Sequence, residues 1–328
     1  MMSDAIKSFA AQFAYNPVIE NNTLRLRSGQ EKYKKYILSG MGGSHLAADL
    51  ARVYNPNLPI IIRSDYGLPS QLSDKELKNT LFIASSYSGN TEEVIDALKI
   101  ALKKNIPSTI IAMGGELIEL AKKHHLPYIQ LPNTGIQPRS ALGFSLKALF
   151  KILRDDKALK KCAALAKKLN PAGLEETGKM LAQELKNCVP IIYASRANKA
   201  IIYNWKIKFN ETGKIPAFYN VFPELNHNEM TGFDVAESSK HLSQNFYFLI
   251  LRDKADNKKI LKRMDTLAQL YKDRGLKVKI IEMSEKNKLE KIFNSLLLAD
   301  WTAVHLAELY GLESEKVPMV EEFKKLIK

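Results

Sequence analysis

Apolar residues along this chain fall in short runs that stop at Gly, Ser or Asn, and each run is followed by apolar positions spaced three and four apart. Tyr36-Ile37-Leu38-Ser39-Gly40 leads into Gly42-Gly43-Ser44-His45 and a helical pattern through Leu46, Ala47, Leu50 and Val53. Ile60-Ile61-Ile62 reads as the next strand. Leu81-Phe82-Ile83-Ala84 then breaks off in Ser85-Ser86-Tyr87-Ser88-Gly89-Asn90-Thr91, ahead of a helix with Val94, Ile95, Ala97, Leu98 and Leu102 on one face. A strand at 108–112, a helix at 116–123 and a strand near Tyr128-Ile129 continue the alternation, which predicts a parallel sheet covered by helices on both faces. Gln137-Pro138-Arg139-Ser140-Ala141-Leu142-Gly143 opens a long apolar helix through Phe144, Leu146, Leu149 and Ile152.

Ala-, Lys- and Leu-rich helices from about 157 to 187, broken at Asn170-Pro171, read as a connector. The pattern then restarts, with strands at 190–195, 216–219, 246–251 and 277–281, helices at 197–210 and 256–274, and a long helix around 292–310. The predicted fold is α/β, with two parallel-sheet domains of similar size, over 1–154 and 155–328.

The 328 residues, 45% of them hydrophobic, are enough for two cores. Two cysteines, Cys162 and Cys188, make no disulfide framework, so a reducing, cytoplasmic setting is expected. The first sixteen residues read as one amphipathic helix carrying Asp4 and Lys7 and not as a signal peptide, and no apolar run reaches the roughly 18 residues of a membrane span. A net charge of +14 raises the question of nucleic acid. Its lysines are scattered, at Lys32, Lys34, Lys35, Lys157, Lys160, Lys161, Lys167, Lys168 and again from Lys254 to Lys262, mostly beside acidic residues. With no helix-turn-helix or RNA-binding signature beside them, a solvated basic surface is expected and no nucleic-acid partner.

The candidate chemistry begins in the loop 86–91. Ser86, Ser88 and Thr91 offer hydroxyls, Gly89 lets the backbone approach a ligand, and the following helix start favours an anion. The loop has no lysine and no nucleotide-type glycine pattern, which points to a phosphate monoester; an ordinary capped turn is the competing interpretation. Ser44 sits at a second helix start, with Gly42 and Gly43 before it. His45 is expected at the surface or as a cap, and His124-His125 as the C-terminal cap of a helix and not as metal ligands. Arg139, beside a proline at the positive end of a helix, has no evident structural purpose and is a site candidate. Glu211 in Asn210-Glu211-Thr212-Gly213 and His227 in Glu224-Leu225-Asn226-His227-Asn228-Glu229 pair a carboxylate with an imidazole, as proton transfer requires, although both also suit element ends. No His-Glu-x-x-His or third ligand supports a metal site.

Taken together, Gly42-Gly43-Ser44, Ser86-Tyr87-Ser88-Gly89-Asn90-Thr91, Pro138-Arg139-Ser140-Ala141, Asn210-Glu211 and Glu224-Leu225-Asn226-His227-Asn228-Glu229 resemble, in order and over nearly the whole chain, the bifunctional phosphoglucose/phosphomannose isomerases. The resemblance implies two sugar isomerase (SIS) domains with flavodoxin-like layers, no cofactor, and interconversion of glucose and mannose 6-phosphates with fructose 6-phosphate through a cis-enediolate. It implies that Gly43, Ser44, Ser86, Ser88 and Thr91 hold the phosphate, that Glu211 is the base, that Arg139 steadies the enediolate, and that His227 opens the sugar ring. It further implies a homodimer in which His227 reaches the neighbouring subunit's site, and a Thr302 that leaves room at C2 for both epimers. Thr212-Gly213 departs from the Asn-Ala of many relatives without removing a catalytic group. An isomerase restricted to glucose 6-phosphate and a non-catalytic SIS-type sugar-phosphate sensor are the competing expectations.

Overall fold

The structure is a computed structural model that describes residues 2–21 and 33–327; Lys32, one of the scattered basic positions, lies outside them. The chain divides into two compact units, one of residues 8–169 and one of residues 1–7 with 170–328. The first sixteen residues are not a single helix. Helix α1 (Met2–Lys7) ends before Ser8, and a separate 3-10 segment, Phe9–Ala14, follows in the other unit.

In the unit 8–169 the elements are β1 (Lys35–Ser39), α2 (Gly43–Tyr54), β2 (Ile60–Arg63), α3 (Asp74–Leu77), β3 (Thr80–Ser86), α4 (Glu92–Lys103), β4 (Ser108–Ala112), α5 (Gly115–Lys123), β5 (Tyr128–Gln130), α6 (Leu142–Ile152) and α7 (Asp156–Lys168). The five strands are parallel in the order β2-β1-β3-β4-β5. That order reverses direction between β1 and β3, the place where open parallel sheets bind ligands beyond their carboxyl ends. β3 is buried along its whole length, which is why it reads as an unbroken apolar run and not as an alternating one. Residues 138–143 do not start the long helix directly: a 3-10 turn, Pro138–Ser140, precedes α6. Gln12 accounts for this start, because its Oε1 accepts from the Gly143 N–H (2.9 Å) while its Nε2 donates to the Ser140 carbonyl (2.7 Å). A glutamine more than a hundred residues away thus caps α6, a contact no local pattern reveals.

The expected boundary at 154/155 falls before α7, whereas the compact unit runs on to Leu169. Cys162 and Leu165 of α7 are fully buried, so this helix is core and not connector. The chain changes unit at the predicted break, Asn170-Pro171, where proline disfavours a continuing helix.

The second unit contains α8 (Glu175–Leu185), β6 (Val189–Ser195), α9 (Lys199–Glu211), β7 (Phe218–Phe222), β8 (Phe246–Asp253), α10 (Lys258–Asp273), β9 (Lys277–Met283), α11 (Lys288–Leu309) and α12 (Pro318–Leu326). Its parallel sheet runs β7-β6-β8-β9, the same order as the first four strands of the other sheet. Helix α11 is buried on most of its surface, with Trp301 and Thr302 fully inside, and α8 packs on it closely enough that a Cβ on Gly178 would stand 2.4 Å from that of Trp301. Among the described residues no helix is long and apolar enough to cross a membrane.

Candidate active site

Within the unit 8–169, the carboxyl ends of β1 and β3 bring two loops together. Ser86, the last residue of β3, is buried, and its hydroxyl lies 2.7 Å from that of Thr91 and 3.4 Å from that of Ser88. Ser86 Oγ also accepts from the Gly89 N–H at 3.1 Å, and Ser88 Oγ from the Asn90 N–H at 3.3 Å. Thr91 occupies the N-cap position of α4 without capping it: its hydroxyl turns to Ser86 and leaves the first-turn N–H groups uncapped by any side chain. A simple capped turn would use that hydroxyl on the helix, so the Thr91 side chain does not act as the cap of α4. Three hydroxyls converging at an uncapped helix start form a donor set for an anion.

Gly89 and Asn90 fix the loop. Gly89 has φ +76°, and a Cβ there would come within 1.7 Å of the Gly114 carbonyl oxygen. Asn90 Oδ1 accepts from the Glu116 N–H at the start of α5 (3.0 Å), so the loop is anchored to the neighbouring βα turn. The β1–α2 loop is tied in as well. Ser44 Oγ accepts from the Tyr87 N–H (2.9 Å) and Ser85 Oγ donates to the Ser44 carbonyl (3.0 Å). The Ser44 N–H is already given to the Met41 carbonyl, so only its hydroxyl hydrogen remains to be offered. Helix α2 likewise has no side-chain N-cap.

Arg139 comes to the same place. A Cβ on Gly43 would lie 2.9 Å from the carbonyl carbon of Pro138 and 3.0 Å from the Arg139 nitrogen, so the absence of a side chain at Gly43 lets the Pro138–Ser140 turn pack on the start of α2. The Arg139 residue is 3% exposed. His45, expected at the surface, is instead buried, with Nδ1 2.6 Å from Asp49 Oδ2 one turn along α2. His124 is the C-cap residue of α5, and His125 follows it with a positive φ, as a helix-end pair would.

The other candidates belong to the second unit. Glu211 is the last residue of α9 and is half-buried. Lys214 Nζ donates to its main-chain carbonyl and Asn210 Nδ2 to the Ile215 carbonyl (2.9 Å), so the turn after α9 is closed by side chains. It packs on α11, with a Gly213 Cβ position 3.5 Å from Ala303 Cα, next in sequence to Thr302. Thr302 is fully buried, and its hydroxyl donates back to the Leu298 carbonyl (2.7 Å). His227 is exposed, at the end of a 3-10 segment, Glu224–His227, whose Leu225 is buried in the core.

Where the second sheet would carry an equivalent of the hydroxyl loop, it carries carboxylates. Asp253 at the end of β8 pairs with Lys291 (2.5 Å), and Asp256 accepts from Ser195 Oγ (2.7 Å). Burial raises the Asp256 carboxyl above the usual carboxylate range. At this switch point the position of the hydroxyl donors is thus taken by carboxylates already bonded within the chain. A cavity of about 460 Å3 in this unit, lined by Asn226, Met230, Lys262 and Leu270, lies elsewhere, beside the His227 segment. Among the described residues no group of three or more His, Cys, Asp or Glu side chains gathers as a metal site.

Comparison with known proteins gives the family and the fold of the chain. Residues 174–327 match the family model of the bacterial phospho-glucose isomerase C-terminal SIS domain. The bifunctional phosphoglucose/phosphomannose isomerase of Caldicellulosiruptor bescii is 34% identical over 311 residues, covering 90% of this chain and 89% of that protein. The protein of the same name from Thermoplasma volcanium is 34% identical over 300 residues, covering 90% and 92%. Among solved structures, the glucosamine-6-phosphate deaminase of Thermotoga maritima shares the fold with a TM-score of 0.67 at 16% identity, over 97% of this chain and 96% of that one. At 34% identity across nine-tenths of both sequences, the chain belongs to the bifunctional phosphoglucose/phosphomannose isomerase family.

Proposed function

We propose that this protein is an aldose–ketose isomerase that interconverts glucose 6-phosphate and mannose 6-phosphate with fructose 6-phosphate. The observation that carries the reading is the convergence of the Ser86, Ser88 and Thr91 hydroxyls with Ser44 at the β1/β3 switch point, packed against the turn that bears Arg139. Gly43, Ser44, Ser86, Ser88 and Thr91 take the phosphate, which binds remote from the reacting carbons and holds the sugar in register. Glu211 removes the C2 proton and returns it to C1. The planar cis-enediolate between these steps has lost its configuration at C2, so both aldoses connect to one ketose. Arg139 stays protonated and steadies the negative charge that develops on the enediolate oxygens. His227 moves the proton that opens the ring, donated across the interface of a homodimer, and its exposure on an anchored segment supports that role. Thr302 leaves space at C2 for both epimers. The chemistry needs no metal or redox cofactor, and a cytoplasmic setting suits the sugar-phosphate substrates.

The test is a coupled assay on the purified protein with a chelator present, following fructose 6-phosphate formed from each aldose separately. Turnover of both is expected. Turnover of glucose 6-phosphate alone would retire the role of Thr302, and turnover of neither would leave a sugar-phosphate sensor as the better reading.

A further inference from the structure

The segment that carries His227 is fastened to its sheet by one acidic side chain. Glu229 stands two residues on, and its carboxylate turns inward: the Tyr193 hydroxyl donates to one oxygen and Asn220 Nδ2 to the other. Tyr193 and Asn220 are register partners on the neighbouring strands β6 and β7, so the carboxylate bridges two adjacent strands. Tyr193 is fully buried, edge-on to Phe222 at 6.1 Å, and has no freedom to follow a moving loop. On either side of this tether the segment is held by apolar packing. Leu225 is buried in the core, and the Phe233 ring stacks edge-on against Phe248 at 4.8 Å. Asn228 closes the turn between them, with Oδ1 accepting from the Glu229 N–H (2.5 Å) and Nδ2 donating to Glu224 Oε1 (2.9 Å). His227 is left exposed at the tip of a fixed loop.

We infer that Glu229 is a positioning residue for His227, holding the imidazole at one place and angle through the Tyr193–Glu229–Asn220 bridge. The inference rests on the reading of His227 as the ring-opening group. Glu229 is not itself the acid or base, because both its oxygens are engaged inward. A displacement of about 1 Å in a group that must meet a ring oxygen costs up to about a hundredfold in rate, which gives such a tether kinetic weight.

The test compares two reactions in the full-length protein and in the variants His227→Ala, Glu229→Ala, Glu229→Gln and Tyr193→Phe. One is exchange between the α and β anomers of glucose 6-phosphate, read by exchange NMR above the uncatalysed rate, which needs ring opening but no enediolate. The other is solvent-deuterium exchange at C1 of fructose 6-phosphate, a ketose with a larger open-chain share. For Glu229→Ala, anomer exchange is expected to fall by about tenfold or more while KM and deuterium exchange stay within about twofold. Tyr193→Phe, which keeps the ring packing, is expected to fall part of the way. Glu229→Gln retains an acceptor and a donor for the bridge and is expected to stay near wild type. Equal loss of both reactions in Glu229→Ala and Tyr193→Phe would reduce the bridge to a folding element and overturn the inference. Wild-type anomer exchange in those two variants, with the rate lost in His227→Ala, would overturn the positioning role alone. Unchanged anomer exchange in His227→Ala would remove the reading on which it rests.

Discussion

Ser86 and Ser88 stand two residues apart in one loop, yet their hydroxyls are differently committed. Ser86 is buried and bonded to Thr91 and to the Gly89 N–H, whereas Ser88 is exposed and makes only longer contacts, to the Asn90 N–H (3.3 Å) and the Ser86 hydroxyl (3.4 Å). Ser88→Ala should therefore weaken substrate binding, raising KM with little change in thermal stability. Ser86→Ala should do both, losing about 1–3 kcal/mol of stability because the Thr91 hydroxyl and Gly89 N–H lose their partner; paired KM and melting measurements check the difference, and equal melting points would place Ser86 among the freely exchangeable hydroxyls. Gly89→Ala is expected to be worse than either, since the left-handed backbone and the Gly114 carbonyl both exclude a Cβ. The sequence made the residue types of this loop legible, because hydroxyls and a glycine ahead of a helix have few uses. It could not say that Thr91 turns from its helix to Ser86 or that the Ser44 N–H goes to the Met41 carbonyl, since which nearby partner a polar group takes is set by how the fold shapes each loop. His45 was misread for the same reason: its burial comes from packing, and a polar residue near a helix start looks like a cap until its neighbours are known.

Strands and helices were largely readable, because a parallel sheet buried on both faces leaves unbroken apolar runs such as 81–84. The misplacements came where distant residues decide the ending, as with Gln12 capping α6 and α7 packing as core beyond the expected boundary. The same kind of non-local contact supports the candidate base. Helix α9, which ends in Glu211, is clamped to α11 by a buried ion pair between Lys208 and Asp300 (2.5 Å) and by Trp205 Nε1 donating to Ser295 Oγ (3.0 Å). Lys208 lies one turn before Glu211, so the clamp sets where that helix end sits. Lys208→Ala would leave Asp300 buried without its cation and should cost about 3–5 kcal/mol, read by urea unfolding. Replacing the pair together, Lys208→Met with Asp300→Leu, should recover most of that loss. If the double variant is as unstable as the single one, the helices depend on the charge pair itself and not on filled space.

For the molecule as a whole, the duplicated architecture assigns unequal tasks to its halves. Both sheets share the order of their first four strands, but one switch point gathers hydroxyls while the other is filled by Asp253, Asp256 and Lys291. One proposed phosphate grip per chain follows, and the proposed base and ring-opening group come from the half without one. Donation of His227 across a two-fold dimer makes a distinct demand on the assembly. Glu211→Gln should abolish isomerisation, lowering kcat by about 10²- to 10⁴-fold while sugar-phosphate binding survives, and His227→Ala should be impaired on ring-closed aldoses. When the two variants are mixed and their subunits exchanged, with activity read on a ring-closed aldose, half of the dimers are hybrids. Each hybrid then has one site with an intact Glu211 from one chain and an intact His227 from the other, so about a quarter of wild-type activity should return. If His227 instead serves its own chain, every site in every hybrid still lacks one group and nothing returns. A mixture that stays inactive after proven subunit exchange would therefore move His227 back to its own subunit, while leaving the phosphate grip and the Glu211 assignment where they stand.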